Sequence, residues 1–514
     1  MTSTAKKLCA LFLASSCVLG TGCVSVETTE PVSNAQNTAP AEPVPTRYFK
    51  YDLMNRLLDD VARESFANPQ IDDMIRGAID HVREMRGPDF ANSSDAQIKA
   101  MIDGEGIFKD EHEKIIVDAI TGALSRVSPH DYYVTPEEVR ESIIGKSTLK
   151  GIGIIYQNDN RIGGLVIEDT ADDGPAKAAG IKRGDIITKV ENTSVAGKFY
   201  EAAEMILGEV GTPVTLSIIP RGETEEKTMT LKRSVVTFSS VRYNVIDNDI
   251  GYIRLRNFSD LSSFNTINDA IREMKQAHNG TPLRGFVLDL RNNPGGRVTL
   301  AARLANNFID SETGVSVTVE NKKFSYDEKI TRGDILNGAP LAVLVNDATA
   351  SAAEILSGAL QDHKRATIVG TQSYGKGSVQ SPIYLSRFDK NRDDAIRITT
   401  ALYRLPSGAF LQGYGIMPDI LVDGVEARLK EHERDKDRMI KNPDADKIAS
   451  RKASQTCRVR DDFNTQVAND DLRLFTGEPD KTLLCAIDHL RRNSQYTITR
   501  PNTPAPDKLR APNP

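Results

Sequence analysis

Two short segments carry residue types that can form and break an acyl bond. In Ala348-Thr349-Ala350-Ser351-Ala352-Ala353-Glu354, an apolar run from Leu341 to Val345 has just ended and a helix-forming stretch begins, with Ser351 at the junction. A serine there presents its hydroxyl at a helix N-terminus, where unpaired backbone N–H groups favour an anion. In Gly370-Thr371-Gln372-Ser373-Tyr374-Gly375-Lys376-Gly377-Ser378-Val379-Gln380, two glycines bracket Lys376. They let the backbone turn tightly and hold the amine in one place. A serine nucleophile needs a base to take its proton. Lysine can serve when neutral: with a free pKa near 10.4 only about 1 in 2,500 is unprotonated at pH 7, and burial can lower that pKa by up to ~3–5. Gln380 can orient the amine without adding charge, whereas a carboxylate there would raise its pKa.

Plainer readings compete. A serine at a helix start is commonly an N-cap, and a lysine between glycines is commonly a solvated turn. Ser373 and Lys376 also fit the Ser-x-x-Lys pattern of penicillin-binding acyl enzymes. That pattern needs a helix, which Gly375 and Gly377 discourage, and neither Ser-Asp-Asn nor Lys-Thr-Gly occurs in the chain. No serine lies in Gly-x-Ser-x-Gly. His363 is a further candidate base, but a helix from Ser351 carries it ~18 Å away. The seven histidines form no His-Glu-x-x-His, no paired Cys-x-x-Cys exists, and no glycine-rich phosphate loop appears. The expected chemistry uses neither metal nor cofactor.

The elements that must position these groups alternate strand with helix. Phe286 to Leu290 reads as a strand ending in Asn293-Pro294-Gly295-Gly296, with a helix after it. Leu341 to Val345 is a second strand before a helix from about Ser351 to Leu360. Ile368-Val369 starts a third strand, and Ile396 to Leu402 a fourth. Repeated strand-then-helix order predicts a mixed α/β layer structure, and strand ends in such sheets are where active groups sit. Upstream, Leu53, Leu57 and Val61, then Ile71, Ile75, Ala78 and Val82, then Ile116, Ile120 and Ala123 recur at helical spacing. Between helices and α/β region lies a β-rich stretch punctuated by glycine, with one helical segment from Tyr200 to Leu207.

The 514 residues are 39% hydrophobic and 26% charged, with a formal charge of −6. That composition supports several buried cores, and a mildly acidic chain without a basic stripe argues against nucleic acid as main partner. Lys6 and Lys7 precede an apolar run from Leu8 to about Leu19 and then Gly20-Thr21-Gly22-Cys23, too short to span ~30 Å of hydrocarbon and shaped like a secretory signal. Small residues before Cys23 resemble a bacterial lipobox, which makes Cys23 the expected lipidated residue and the lipid a membrane anchor. Gly20 departs from the leucine usual there, and Cys17 is a second candidate. After the leader, Cys457 and Cys485 remain together in a compartment where disulfides persist; a bridge between them is expected, worth roughly 3–4 kcal/mol.

Taken together, the segments resemble the carboxyl-terminal processing peptidases, or tail-specific proteases, over about residues 47–425. The markers are Ser128-Pro129-His130 with Thr135-Pro136-Glu137-Glu138; Gly151-Ile152-Gly153-Ile154; Gly174-Pro175-Ala176 with Gly184-Asp185; Asp289-Leu290-Arg291-Asn292-Asn293-Pro294-Gly295-Gly296; Ser351 to Glu354; Gly375-Lys376-Gly377 with Gln380; and Pro406-Ser407-Gly408 with Gln412-Gly413 and Gly415-Ile416. The resemblance implies a multidomain α/β protein with an N-terminal helical domain 47–146, PDZ domain 147–235 and crotonase/Clp-like protease core 236–425. The residues outside it read as a signal peptide 1–22, a Pro-rich spacer 23–46, a C-terminal extension 426–500 that resembles nothing recognisable, and a disordered tail 501–514 with five prolines in its fourteen residues.

It further implies Ser351 as nucleophile, Lys376 as base, Gln380 holding the lysine, and an oxyanion hole from Ala352 and Gly295 or Gly296. Gly151, Ile152, Gly153 and Ile154 would grip a peptide's terminal carboxylate. His130, Asp289 and Arg291 take structural roles. Thr349 and Arg297 depart from the usual family residues, which bears on substrate fit. Implied partners are protein substrates held by their C-termini and an adaptor protein, with assembly as a homo-oligomer in the periplasm of a Gram-negative bacterium, anchored as an outer-membrane lipoprotein. The rival function is a non-catalytic PDZ-bearing envelope scaffold.

Overall fold

A computed structural model describes residues 48–144, 148–159, 163–277, 282–331, 333–423, 442, 453–458 and 480–493. The leader, Cys23, the spacer, the tail and most of the C-terminal extension lie outside these residues. The described residues divide into two units, one holding Arg140–Val379 and those from Ala401 on, the other holding residues 48–139 together with Gln380–Thr400.

The second unit is built on helices Asp52–Glu64, Ile71–Met85, Asp95–Ile102 and Lys109–Leu124. Their apolar stripes meet: Leu53, Leu57, Val61, Met74, Ala78, Val82, Ile116, Ile120 and Ala123 form one buried cluster. Ile383, Leu385, Ile396 and Ile398 join it. Sequence order puts residues 380–400 within the 236–425 core; their apolar side chains bury instead among these helices.

The first unit centres on a seven-stranded sheet whose spatial order follows the chain: β1 Val241–Ile246, β2 Ile250–Leu255, β3 Gly285–Asp289, β4 Leu341–Val345, β5 Thr367–Gly370, β6 Ile420–Val422 and β7 Gln455–Cys457. β1 and β2 are antiparallel; β2 to β7 run parallel. Parallel strands need crossovers that cover both faces. On one face Phe286, Leu288, Val343, Val345 and Ile368 pack beneath α1 Ser263–Ala277, α2 Val298–Phe308 and α3 Ala352–Asp362. On the other, Val287, Ala342, Leu344 and Val369 meet α4 Lys481–Asn493 through Leu483, Leu484, Ile487 and Leu490. Alternate residues of each strand thus feed opposite layers. Cys457 on β7 is disulfide-bonded to Cys485 on α4, as the cysteine count predicts. The C-terminal extension therefore supplies both an edge strand and a covering helix.

The β-rich module of this unit has strands Ile154–Asp159, Gly164–Thr170, Ile186–Val190, Pro213–Ile219 and Lys227–Lys232 in one sheet, with helix Phe199–Ile206 against its core. Thr148–Gly151 pairs with Ser234–Thr237 and closes it. Its acidic corner is tied to the large sheet: Glu168 pairs with Arg254 and Arg256, Asp169 with Arg256 and Arg242, and Asp172 with Arg242 at 2.7 Å.

Candidate active site

The carboxyl ends of β3, β4 and β5 lie side by side, and each releases a loop carrying one part of the site. β4 buries all five of its residues and leads to Ser351, the residue before α3. Ser351 has φ 57° and ψ −120°, a conformation that costs a non-glycine residue of order 1–3 kcal/mol and persists only when its surroundings over-determine it. The sharp strand-to-helix turn that the sequence motif failed to announce is nonetheless present. Its neighbours pin it: the Ala350 N–H donates to the Asn293 carbonyl (2.9 Å), the Thr349 hydroxyl to the Leu290 carbonyl (2.9 Å), and the Tyr374 N–H to the Thr349 carbonyl (2.9 Å).

Two residues absent from the sequence-based site assembly hold Ser351 to Lys376. The carboxylate of Glu354, fully buried, accepts the N–H of Ser351 (2.8 Å) and of Lys376 (2.9 Å) on one oxygen. Its other oxygen accepts the Gly375 N–H (2.8 Å) and the Ser373 hydroxyl (2.5 Å). Tyr403, also buried, donates its hydroxyl between the carbonyl oxygens of Lys376 and Ser351, the latter at 3.3 Å. Burial pushes the Glu354 carboxyl up to about 7, against the pull of these four donors. The Ser-x-x-Glu spacing is a capping-box signature; its reach to residues 373–376 depends on the fold.

Lys376 is 6% exposed. The flanking glycines are there because another strand of backbone passes within contact: a Cβ at Gly375 would lie 2.8 Å from the Tyr414 nitrogen, and one at Gly377 2.8 Å from that of Gln412. Ser373 does not head a helix, since 372–377 is extended loop, and its hydroxyl is committed to Glu354 while accepting from the Ile416 N–H (2.6 Å). That geometry removes the penicillin-binding pattern. His363 sits at the far end of α3 with Nε2 on the Val315 carbonyl (2.9 Å). Gln380, on strand Ser378–Tyr384, donates its amide to the Thr399 hydroxyl (3.2 Å).

The third loop, after β3, brings Gly295 against the serine. Its φ is +97°, and a Cβ there would meet Ser351 Cβ at 2.7 Å and the Ala352 nitrogen at 2.8 Å. The Gly295 N–H is already given to Asn293 Oδ1 (2.9 Å). Among the described residues the N–H groups of Gly296 and Ala352 have no acceptor. Two free donors beside a serine can hold an oxyanion, and of the two candidate glycines Gly296 is the one with its N–H available. The loop is stiffened by Arg291, whose guanidinium grips both oxygens of Asp289 (2.9 and 2.6 Å). Burial alone would raise the Asp289 carboxyl; the Arg291 charge and hydrogen bonds, with help from Arg254 and Tyr252, hold it at about 2. Arg297 donates Nε to the Ser259 carbonyl (3.1 Å), a structural use. His130 lies in the helical unit.

In the β-rich module, Gly151 ends one strand and Ile154 begins the next, with Gly153 at φ +77° between them. The carbonyls of Ile152 and Gly153 accept the Ala176 and Ala171 N–H groups (both 2.9 Å), whereas the N–H groups of Ile152 and Gly153 have no acceptor among the described residues. The end of helix Phe199–Ile206 borders this loop, with Leu207 Cδ2 3.3 Å from a Cβ placed on Gly151. A loop with two unused donors beside a helix can receive a carboxylate.

Residues 249–422 match the model of peptidase family S41, and residues 166–219 match that of the PDZ domain. The chain is 38% identical over 319 residues to a carboxy-terminal-processing protease of Bartonella bacilliformis, covering 61% of this chain and 70% of that protein. It is 35% identical over 296 residues to the chloroplastic carboxyl-terminal-processing peptidase 2 of Arabidopsis thaliana, covering 55% of each. A solved photosystem II D1 C-terminal processing protease aligns at 25% identity and a TM-score of 0.45, over 72% of this chain and 92% of that one.

Proposed function

The chain belongs to peptidase family S41, hydrolases of peptide bonds, and from that premise we propose a serine endopeptidase that captures protein C-termini in its PDZ domain and cleaves with a Ser351–Lys376 dyad. The observation that carries the reading is the Glu354 carboxylate, which bonds the backbone of both dyad members on one oxygen and so fixes their separation. In the reaction the neutral Lys376 amine takes the Ser351 proton as Oγ attacks the scissile carbonyl. The tetrahedral oxyanion sits on the N–H groups of Ala352 and Gly296. The Lys376 ammonium then protonates the leaving amine, and a water, activated by the same amine, hydrolyses the acyl-enzyme. The free N–H groups of Ile152 and Gly153 support capture of a terminal carboxylate, with the peptide added as a strand. Gln380 orients the amine.

Export, lipid anchoring at Cys23, residence in a Gram-negative periplasm, an adaptor partner and homo-oligomeric assembly complete the proposal; the Cys457–Cys485 disulfide supports an oxidising compartment. The test uses the full chain on a protein with an apolar C-terminus. Ser351→Ala and Lys376→Ala should abolish cleavage with the circular dichroism spectrum unchanged, and amidating the substrate's terminal carboxylate should raise KM. Full activity in Lys376→Ala defeats the dyad, and an indifferent KM defeats the PDZ role.

A further inference from the structure

The family match ends at residue 422, yet the C-terminal extension sends a charged group to the active-site loop. Asp480, 5% exposed, precedes α4 and bonds both Nη atoms of Arg291, each at 2.8 Å. Arg291 is thereby held between two carboxylates, Asp289 at the end of β3 and Asp480 from the extension. From Arg291 the chain runs through Asn292, at φ +60°, to Asn293. Asn293 orders both halves of the site: its Oδ1 takes the Gly295 N–H, and its carbonyl takes the N–H of Ala350, next to Ser351. The anchor for Asp480 is equally definite. Its Oδ1 caps α4 by accepting the Leu483 N–H (3.0 Å). That helix is buried against the sheet by Leu483, Leu484, Ile487 and Leu490 and bonded through Cys485 to β7.

We propose that Asp480 is a positioning residue for peptide-bond hydrolysis, delivered by the C-terminal extension to hold Arg291 and, through it, the Asn293–Gly296 turn that presents the oxyanion donor. The proposal rests on the Ser351 acyl-enzyme reading. A guanidinium held on Asp289 alone leaves two N–H groups aimed at a site that has lost its acceptor, and the residue starting the turn becomes free to shift. Displacement of about 1 Å at a reacting group can cost a hundredfold in rate.

Asp480 has two jobs, cap and bridge, and substitutions separate them. Asn and Ser cap helices about as well as Asp, so Asp480→Asn and Asp480→Ser keep α4 while removing the charge facing Arg291. In Asp480→Asn an amide N–H₂ also faces the Arg291 donors. The measurement is steady-state cleavage by the full chain, normalised to the sites that react with a serine-directed fluorophosphonate at completion. Both variants should lose about tenfold in kcat per labelled site with KM unchanged and thermal midpoint within a few degrees. Unchanged kcat per labelled site in either soluble variant overturns the proposal, whatever the midpoint does, because a purely structural role changes how much enzyme is folded and not how fast a labelled site turns over. If the wild-type label lands elsewhere than Ser351, it is the dyad reading that fails.

Discussion

Replacing Glu354 by Gln changes one oxygen to N–H₂ at the point where four donors converge. With the amide oxygen turned toward Ser351 and Lys376, their N–H bonds survive, but the N–H₂ then opposes the Gly375 N–H, and the Ser373 hydroxyl proton loses its acceptor. The opposite orientation strands the two dyad N–H groups instead. Each stranded buried donor costs about 1–3 kcal/mol, so with two stranded the substitution should lower stability by roughly 2–6 kcal/mol and, by freeing the loop that carries Lys376, lower kcat about a hundredfold. The wild type should also show a pH signature. Native Glu354 holds its proton up to about 7 against an ordinary 4.5, so between those values the native state binds more protons than the unfolded state. Stability therefore falls as pH rises through that window, by about 3 kcal/mol in all, while kcat rises as the carboxylate that accepts all four donors becomes populated. Urea titrations at several pH values and kcat measured over the same range test both statements. A Glu354→Gln enzyme with wild-type kcat, or the same stability slope between pH 4.5 and 7 in wild type and variant, would refute the bridging role.

Gly295→Ala should give a folded enzyme with kcat down at least a hundredfold, since its Cβ meets Ser351 Cβ and the Ala352 nitrogen inside 3 Å at a φ that side chains avoid; fluorophosphonate labelling should slow in parallel. Asp289, held at about 2 against an ordinary 3.8, contributes about 2 kcal/mol that is fully present above pH 4 and lost as pH falls through about 2; Asp289→Asn should abolish that acid limb in urea titrations. Reducing Cys457–Cys485 should cost roughly 3–4 kcal/mol, read as a lower thermal midpoint in the presence of a phosphine reductant and none of that change in Cys457→Ala/Cys485→Ala.

What could be read in the sequence were features whose meaning is local. Ser351 stands at a strand-to-helix junction, Lys376 between glycines, and Gly295-Gly296 after an apolar strand, and each reading needs only a few neighbours; the family resemblance then set them in one site. Glu354 shows where the limit lies. Its spacing to Ser351 says helix cap, and that is true, but the other half of its work is done on Lys376 and Gly375, which the chain reaches only after the rest of α3, a strand and a loop. Tyr403 is more extreme, a single aromatic in a strand pattern whose hydroxyl happens to lie between two carbonyls 27 and 52 residues away. Residues 380–400 read as core because apolar alternation says that a strand is buried without saying among what. In the extension, which the sequence leaves blank, α4 forms because Leu483, Leu484, Ile487 and Leu490 share one face that the sheet buries, whereas β7, the three residues Gln455–Cys457, has no pattern of its own and exists because β6 leaves an unpaired edge for it. Sequence therefore identifies groups able to react, and the groups that restrain them emerge only when distant segments close around the same atoms. That is why the supports of this site, Glu354, Tyr403 and Asp480, are all residues whose hydrogen bonds cross between elements.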